Sequence, residues 1–258
     1  MADSHLLMRW KQSQRWLADH SMRKSLTLHA PAGVVSFSFD DAPKTACVNG
    51  RRILERHDCL GTWYIAGGLT DQLEQGRRCH SVADVQSLSR AGHHIACHTF
   101  THQPCDQLSR AQMQYVLASN ARYFSDIGIP QAADHFSFPL GAYNIRAKQL
   151  ASQTFQSSRI ARGGIQVGQV DLNGLRAEKL YAHSMTDARL HALVQATAQQ
   201  CGWLIFYTHE VESRAGTWGC TPELLDSAVR AALNAGCQVL SVDQAITYFR
   251  SLQLSRQH

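Results

Sequence analysis

The stretch GVVSFSFDD, residues 33–41, decides the fold. A β-branched and aromatic run leads straight into two adjacent carboxylates, so it reads as a buried strand that ends in acids. Working outward, similar runs recur along the chain: GTWYIAG (61–67), HHIACHT (93–99), HFSFP (135–139), SSRIARG (157–163), WLIFYTHE (203–210) and CQVLSV (237–242), with a short strand expected at 180–184. Helices are expected between them. Residues 46–57 form one. Ser81 with Asp84 is a capping box opening a helix that ends near Gly92, and Ser109 with Gln112 opens another that runs to about Gly128. Asn144 begins a helix, residues 187–200 form the next, and Thr221-Pro222-Glu223 starts one that ends near Gly236. A last helix closes the chain.

Strand and helix alternate throughout, which implies a parallel sheet, open or closed into a barrel. In such folds the site lies at the carboxyl edge of the strands. Asp40 and Asp41, His98 and His102, Pro139 to Tyr143, Arg162 and His209 all fall there.

Composition sets the class. The chain has 258 residues, 44% of them hydrophobic and 17% charged, with a net charge of +5. It has enough apolar residues for a full core and too few charges for a disordered chain. Lys and Arg are scattered, in short pairs such as Arg51-Arg52, which argues against a nucleic-acid partner. No run approaches the roughly 18 apolar residues of a membrane span. MADSHLLMRWKQSQRW lacks the apolar core and small-residue cleavage site of a leader, so the expected setting is cytoplasmic. Residues 5–20 read as a short amphipathic helix using Leu6, Leu7, Trp10 and Trp16, packed on the domain, with peripheral membrane association as the alternative. Residues 1–32 thus read as a helical extension and 33–258 as one α/β domain. Eight cysteines without a CxxC pair fit a reducing compartment.

Each polar element has two readings. His98 and His102, four apart in HTFTH, share one metal ion if they sit on a helical turn, or are two structural histidines. His93 and His94 read as structural or surface. Asp40 and Asp41 sit at a strand end where the chain can turn, so Asp41 can complete a two-histidine, one-carboxylate set and leave Asp40 free as a base; otherwise the pair is a turn or cap. FSFPLGAYN (136–144) exposes backbone N–H groups to an oxyanion, or is an ordinary loop. His209 is a general acid or a structural ring.

Taken in order, SFDD, HTFTH, FPLGAYN and YTH resemble the polysaccharide deacetylase family, the NodB-type carbohydrate esterases, over about residues 33–245. The resemblance implies a distorted (β/α) barrel of about seven parallel strands. It implies that Asp41, His98 and His102 bind a divalent metal, usually zinc. It makes Asp40 the base that deprotonates the attacking water and His209 the acid that protonates the leaving amine. The Leu140 N–H joins the oxyanion site, with Pro139 and Gly141 beside the substrate. The segment 210–220 after His209 is long enough to form a flap, and Trp218 on it, like Tyr143 and Trp63, either stacks on a sugar ring in the substrate site or is a structural aromatic.

Many members carry an arginine, paired with the base aspartate, where this chain has Ser137. Arg162, at the end of the fifth strand, is the expected replacement. Asp171 is only a weak analogue of the family's fourth-motif aspartate. The expected reaction is N-deacetylation or N-deformylation of an amino sugar carried on a nucleotide, a lipid or an inner-leaflet glycan such as O-antigen. The alternatives are an amide or cyclic-imide hydrolase and a non-catalytic carbohydrate-binding member.

Overall fold

The computed structural model describes residues 13, 16–21 and 23–255. Most of the expected N-terminal helix lies outside them; residues 16–20 are helical, with Ala18 buried against the domain.

The strands are β1 (Ser25–Leu28), β2 (Val34–Asp40), β3 (Thr62–Ile65), β4 (Leu73–Glu74), β5 (Arg77–Arg78), β6 (His94–Cys97), β7 (His135–Ser137), β8 (Ser157–Ile160), β9 (Gly168–Asp171), β10 (Leu175–Arg176), β11 (Glu178–Lys179), β12 (Trp203–Thr208) and β13 (Gln238–Val239). The main sheet runs β10-β8-β7-β6-β3-β2-β12-β11, every pair parallel, with β13 also on β2. Its two ends are neighbours in sequence. β10 pairs with β8, β11 pairs with β12, and between them the Ala177 N–H donates to the Ile160 carbonyl. Residues 175–179 therefore stitch the sheet into a nearly closed barrel, as expected.

The closing strand lies at 175–179 rather than 180–184. Residues 182–184 form a turn instead. β1 pairs antiparallel with β9 outside the barrel, and β4 with β5 forms a hairpin.

The helices start where the sequence caps them. Ser81 and Ser109 both make reciprocal capping boxes, as does Ser241 at the head of the last helix, Val242–Leu254. Thr221 caps a helix with Pro222 in its first turn.

Alternation along each strand divides the side chains between two environments. Val35, Phe37 and Phe39 of β2 face the helices and join one apolar cluster. Ser36, Ser38 and Asp40 face the barrel interior. There Ser36 Oγ accepts from Trp203 Nε1 at 2.9 Å and Ser38 Oγ donates to the Phe206 carbonyl at 2.8 Å. The same parity sends Tyr64, His98, Ser137, Arg159 and Tyr207 inward. The last helix closes one end of the barrel, with Phe249 against Trp203 and the Val242 N–H on Thr62. Trp63, open to a substrate-stacking reading, is fully buried core.

His93 and His94 are structural. His93 Nδ1 accepts the Gly61 N–H, and the His94 ring packs edge-on against His135. Burial holds both rings below the usual histidine range, and the neighbouring His135 adds to the effect at His94. Their unfolded value is about 6.5. The folded form resists a proton that the unfolded chain accepts, so stability is full above that pH and falls as pH drops. Each ring is expected to remove on the order of 2 kcal/mol at pH 5. Urea midpoints at pH 7.5 and 5.0 check this, and an unchanged midpoint contradicts it.

Candidate metal and active site

Two strand ends and one loop bring the polar residues together. β2 ends at Asp40, and the next two residues, Asp41 and Ala42, take left-handed conformations with φ of 60° and 47°. That turn carries both carboxylates to the same side. A second left-handed pair, Thr99 (φ 60°) and His102 (φ 53°), shapes the loop after β6, and Leu140 (φ 56°) shapes the loop after β7. Of the nine non-glycine residues with positive φ among those described, five lie in these three loops. Such conformations cost of order 1–3 kcal/mol each and persist where surrounding contacts over-determine them. The supports are visible. Thr99 Oγ1 accepts the His102 N–H at 3.1 Å, and the buried His80 donates Nδ1–H to the Asp41 carbonyl at 3.0 Å. His98 and His102 thus meet through a bent loop, not through the helical turn that their spacing suggests.

Asp41 sits at the focus. His102 Nε2 lies 2.9 Å from Asp41 Oδ1, His98 Nε2 lies 3.6 Å from the same oxygen, and His209 Nε2 lies 3.8 Å from Oδ2. The opposite nitrogen of each ring is committed. His98 Nδ1–H donates to the Ser137 carbonyl at 2.8 Å, and His209 Nδ1–H donates to the Trp218 carbonyl at 3.0 Å. His102 Nδ1 faces Glu74 Oε1 at 3.3 Å. In the neutral tautomers these contacts select, three nitrogen lone pairs converge on a carboxylate. Asp41 Oδ1 is buried without a hydrogen-bond donor. Lone pairs that face one another in a buried space need a cation between them. Asp41, His98 and His102 offer one ligand atom each, all within 4.8 Å of one another. The donor set therefore fits a divalent metal.

The side chains also shift one another's protonation. Burial alone raises the Asp41 carboxyl, but His102, then His209 and His98, bring it well below the usual carboxylate range. Burial pushes His98 down to about 4, so it stays neutral and able to ligate. At His102 burial is outweighed by Asp41 and Glu74, and the ring is raised.

Asp40 has a different partner from the one expected. Arg159 Nη2 donates to Asp40 Oδ1 at 2.5 Å, and to Oδ2 and Ser137 Oγ as well. Its guanidinium lies 5.0 Å from the Tyr64 ring centre and 4.8 Å from that of Tyr207. Burial would lower Arg159, but Asp40 and the two tyrosines hold it above its ordinary value. Arg162 is the correction. It lies beyond the end of β8 on the opposite parity, exposed, and pairs with Asp19.

Tyr143 is also displaced from its expected role. It is buried, packs on Phe138 and donates its hydroxyl to Asp19 at 2.7 Å. Asp171 pairs with buried Lys148 at 2.7 Å. Pro139 is buried and Leu140 exposed, and nothing among the described residues hydrogen-bonds the Leu140 N–H. Trp218 is 43% exposed, edge-on to Tyr181, and donates Nε1–H to Gln75. Sequence reasoning missed Arg159, Glu74 and His80.

Comparison with known proteins gives the same picture. The polysaccharide deacetylase family model matches residues 28–155, which include Asp40, Asp41, His98 and His102. The chain belongs to the polysaccharide deacetylase family. No curated protein matches it in sequence. Among solved structures, the chitin deacetylase of Colletotrichum lindemuthianum is 14% identical, with a TM-score of 0.61, covering 85% of this chain and 89% of that one. A family 4 acetyl xylan esterase from Clostridium thermocellum, solved with a cobalt ion, is 16% identical with a TM-score of 0.59, covering 83% and 91%. A CE4 family pseudoenzyme from Bacillus anthracis is 14% identical with a TM-score of 0.60, covering 84% and 66%. At these identities the likeness is one of fold. A pseudoenzyme on the same fold also means that activity in this deacetylase-family chain must be argued from its side chains.

Proposed function

We propose that the protein is a metal-dependent hydrolase that removes an N-acetyl or N-formyl group from an amino sugar. The observation that carries this reading is the convergence of Asp41, His98 and His102 beside a separate carboxylate, Asp40, held by Arg159. Asp41, His98 and His102 would hold the metal, zinc being the leading candidate. When bound, such a cation acidifies water and polarises an acyl carbonyl.

The chain's own residues supply the rest. Asp40 accepts a proton from the attacking water, and Arg159 Nη2, which donates to both carboxylate oxygens, fixes the direction of the carboxylate. The water oxygen bonds to the acyl carbon, and the unengaged Leu140 N–H donates to the resulting oxyanion. His209, with Nδ1–H fixed on Trp218, gives a proton to the amine from Nε2 when the ring is doubly protonated, as the C–N bond breaks; release of the proton held by Asp40 and reprotonation of the ring complete the cycle. The products are a free amino sugar and acetate or formate. Trp218, exposed on the flap, offers an apolar face to a sugar ring.

All eight cysteines are free and seven are buried. That supports a reducing compartment and therefore a nucleotide-linked, lipid-linked or inner-leaflet sugar as substrate. The test is carboxylate release from acylated amino sugars by protein reconstituted with Zn²⁺. Equal yields of amine and acetate or formate are expected. Asp41→Ala is expected to lose activity by about 10³-fold or more, since a Lewis acid contributes several kcal/mol. Metal-loaded protein that releases neither acid contradicts the proposal, and turnover of a cyclic imide instead identifies the other hydrolase.

A further inference from the structure

The hairpin β4–β5 is an unexpected neighbour of the site. It turns through Gln75 (φ 50°) and Gly76 (φ 79°), two successive left-handed residues, the pattern of a tight type I′ turn that a glycine makes possible. The ladder continues below it, from Asp71 N–H to the His80 carbonyl and from Cys79 N–H to the Gln72 carbonyl. The hairpin is fastened to the flap that follows His209. Arg77 Nη1 donates to the buried Glu210 at 2.5 Å, and Gln75 Oε1 accepts from both Arg77 Nη2 and Trp218 Nε1. These ties fix where Glu74 points.

Glu74 Oε1 is 3.3 Å from His102 Nδ1. A ring that presents Nε2 to a metal keeps its proton on Nδ1, and that N–H needs an acceptor. His98 has the Ser137 carbonyl, a neutral dipole. His102 has a carboxylate. A carboxylate on the far nitrogen fixes the tautomer and orientation of a ligating imidazole and raises its basicity. Charge gives the same answer. Asp40 and Arg159 cancel, so a divalent cation with Asp41 alone leaves the centre at +1, and Glu74 brings it to zero. A buried centre favours that balance.

We propose that Glu74 is a positioning residue for the metal: the hairpin exists to hold a carboxylate on His102 and thereby sets how tightly the cation is kept. Glu74 does not touch substrate. It acts through His102, while His80 from the same hairpin steadies the Asp41 turn. The proposal rests on the metal reading given above, and its test separates the two.

Zn²⁺ and Co²⁺ are titrated into metal-free protein against a chromophoric chelator, and the visible spectrum of the Co²⁺ form is recorded. Glu74→Ala is expected to weaken binding about 10–100-fold and to shift the Co²⁺ bands. Glu74→Gln, which keeps an acceptor without the charge, is expected to fall between wild type and Glu74→Ala. Leu73→Ser, at the exposed neighbouring position, is expected to bind as wild type does. Glu74→Ala with wild-type affinity and spectrum overturns the proposal, as does an equal loss in Leu73→Ser, which would make the effect one of hairpin order. If Glu74→Ala does not fold, the isosteric Glu74→Gln decides by the same criterion. Wild-type protein that binds neither ion removes the metal reading itself, a result distinct from wild-type binding that Glu74→Ala leaves untouched.

Discussion

Asp40→Asn is expected to retain a full complement of metal and to lose about 10²–10⁴ in kcat, the usual contribution of a positioned general base. The substitution is isosteric, and Asn Oδ1 can still accept from Arg159. What disappears is the ability to take a proton. Metal retention follows from geometry, because the proposed ligands are Asp41, His98 and His102, and Asp40 belongs to the Arg159 pair instead. Arg159 keeps Ser137 Oγ and two flanking aromatic rings, so it is not stranded. The substrate KM is expected to change little, since the lost interaction is used only as the water is activated. Metal analysis and steady-state kinetics on the same preparation check both halves. Activity within tenfold of wild type excludes Asp40 as the base. Loss of the metal along with activity makes it a ligand or a ligand's support.

How far the sequence anticipates this site depends on which local rule governs each residue. Asp40, Asp41, His98, His102 and His209 are legible because an apolar strand followed by a polar pair marks the carboxyl edge of a parallel sheet. Ser36, Ser38 and Asp40 share one face of β2, the side that becomes the barrel interior. The same count along SSRIARG puts Arg159 on the interior face and Arg162 past the strand end. Choosing between those arginines requires knowing which face is inside, and that is fixed only when β7 and β8 pair Ser137 with Arg159.

Other features leave weaker traces. The closing strand, LRAEK at 175–179, is short and charged; its Leu175 and Ala177 are buried while Arg176 is exposed. Only pairing on both sides makes it a strand. Glu74 lies 28 residues before its contact, His102, on a hairpin whose one signal is Gln75-Gly76. Left-handed Asp41 and His102 could not be read at all, since nothing in their side chains demands positive φ. Neighbours impose it: the Asp41 carbonyl is held by His80 and the His102 N–H by Thr99.

Arg159→Met is expected to lower stability by about 3–5 kcal/mol, the typical cost of breaking a buried ion pair from one side. Arg159 is fully buried and Asp40 nearly so, so the orphaned carboxylate has little water to turn to. The carboxylate also loses the donor that fixes its direction, so kcat falls as well. The double variant Asp40→Asn/Arg159→Met separates the two consequences. Both charges are then absent, and stability is expected to return to within about 1–2 kcal/mol of wild type, because a buried pair is worth little more than the uncharged groups that replace it. Activity is expected not to return, because the proposed base is gone. Arg162→Ala provides the contrast, since its exposed pair with Asp19 is worth about 0–1 kcal/mol. Urea denaturation of the four proteins measures these differences directly. If Arg159→Met is as stable as wild type, the guanidinium is not the partner on which the buried Asp40 depends. If the double variant stays as unstable as Arg159→Met, the loss comes from packing around Tyr64 and Tyr207 and not from a stranded charge.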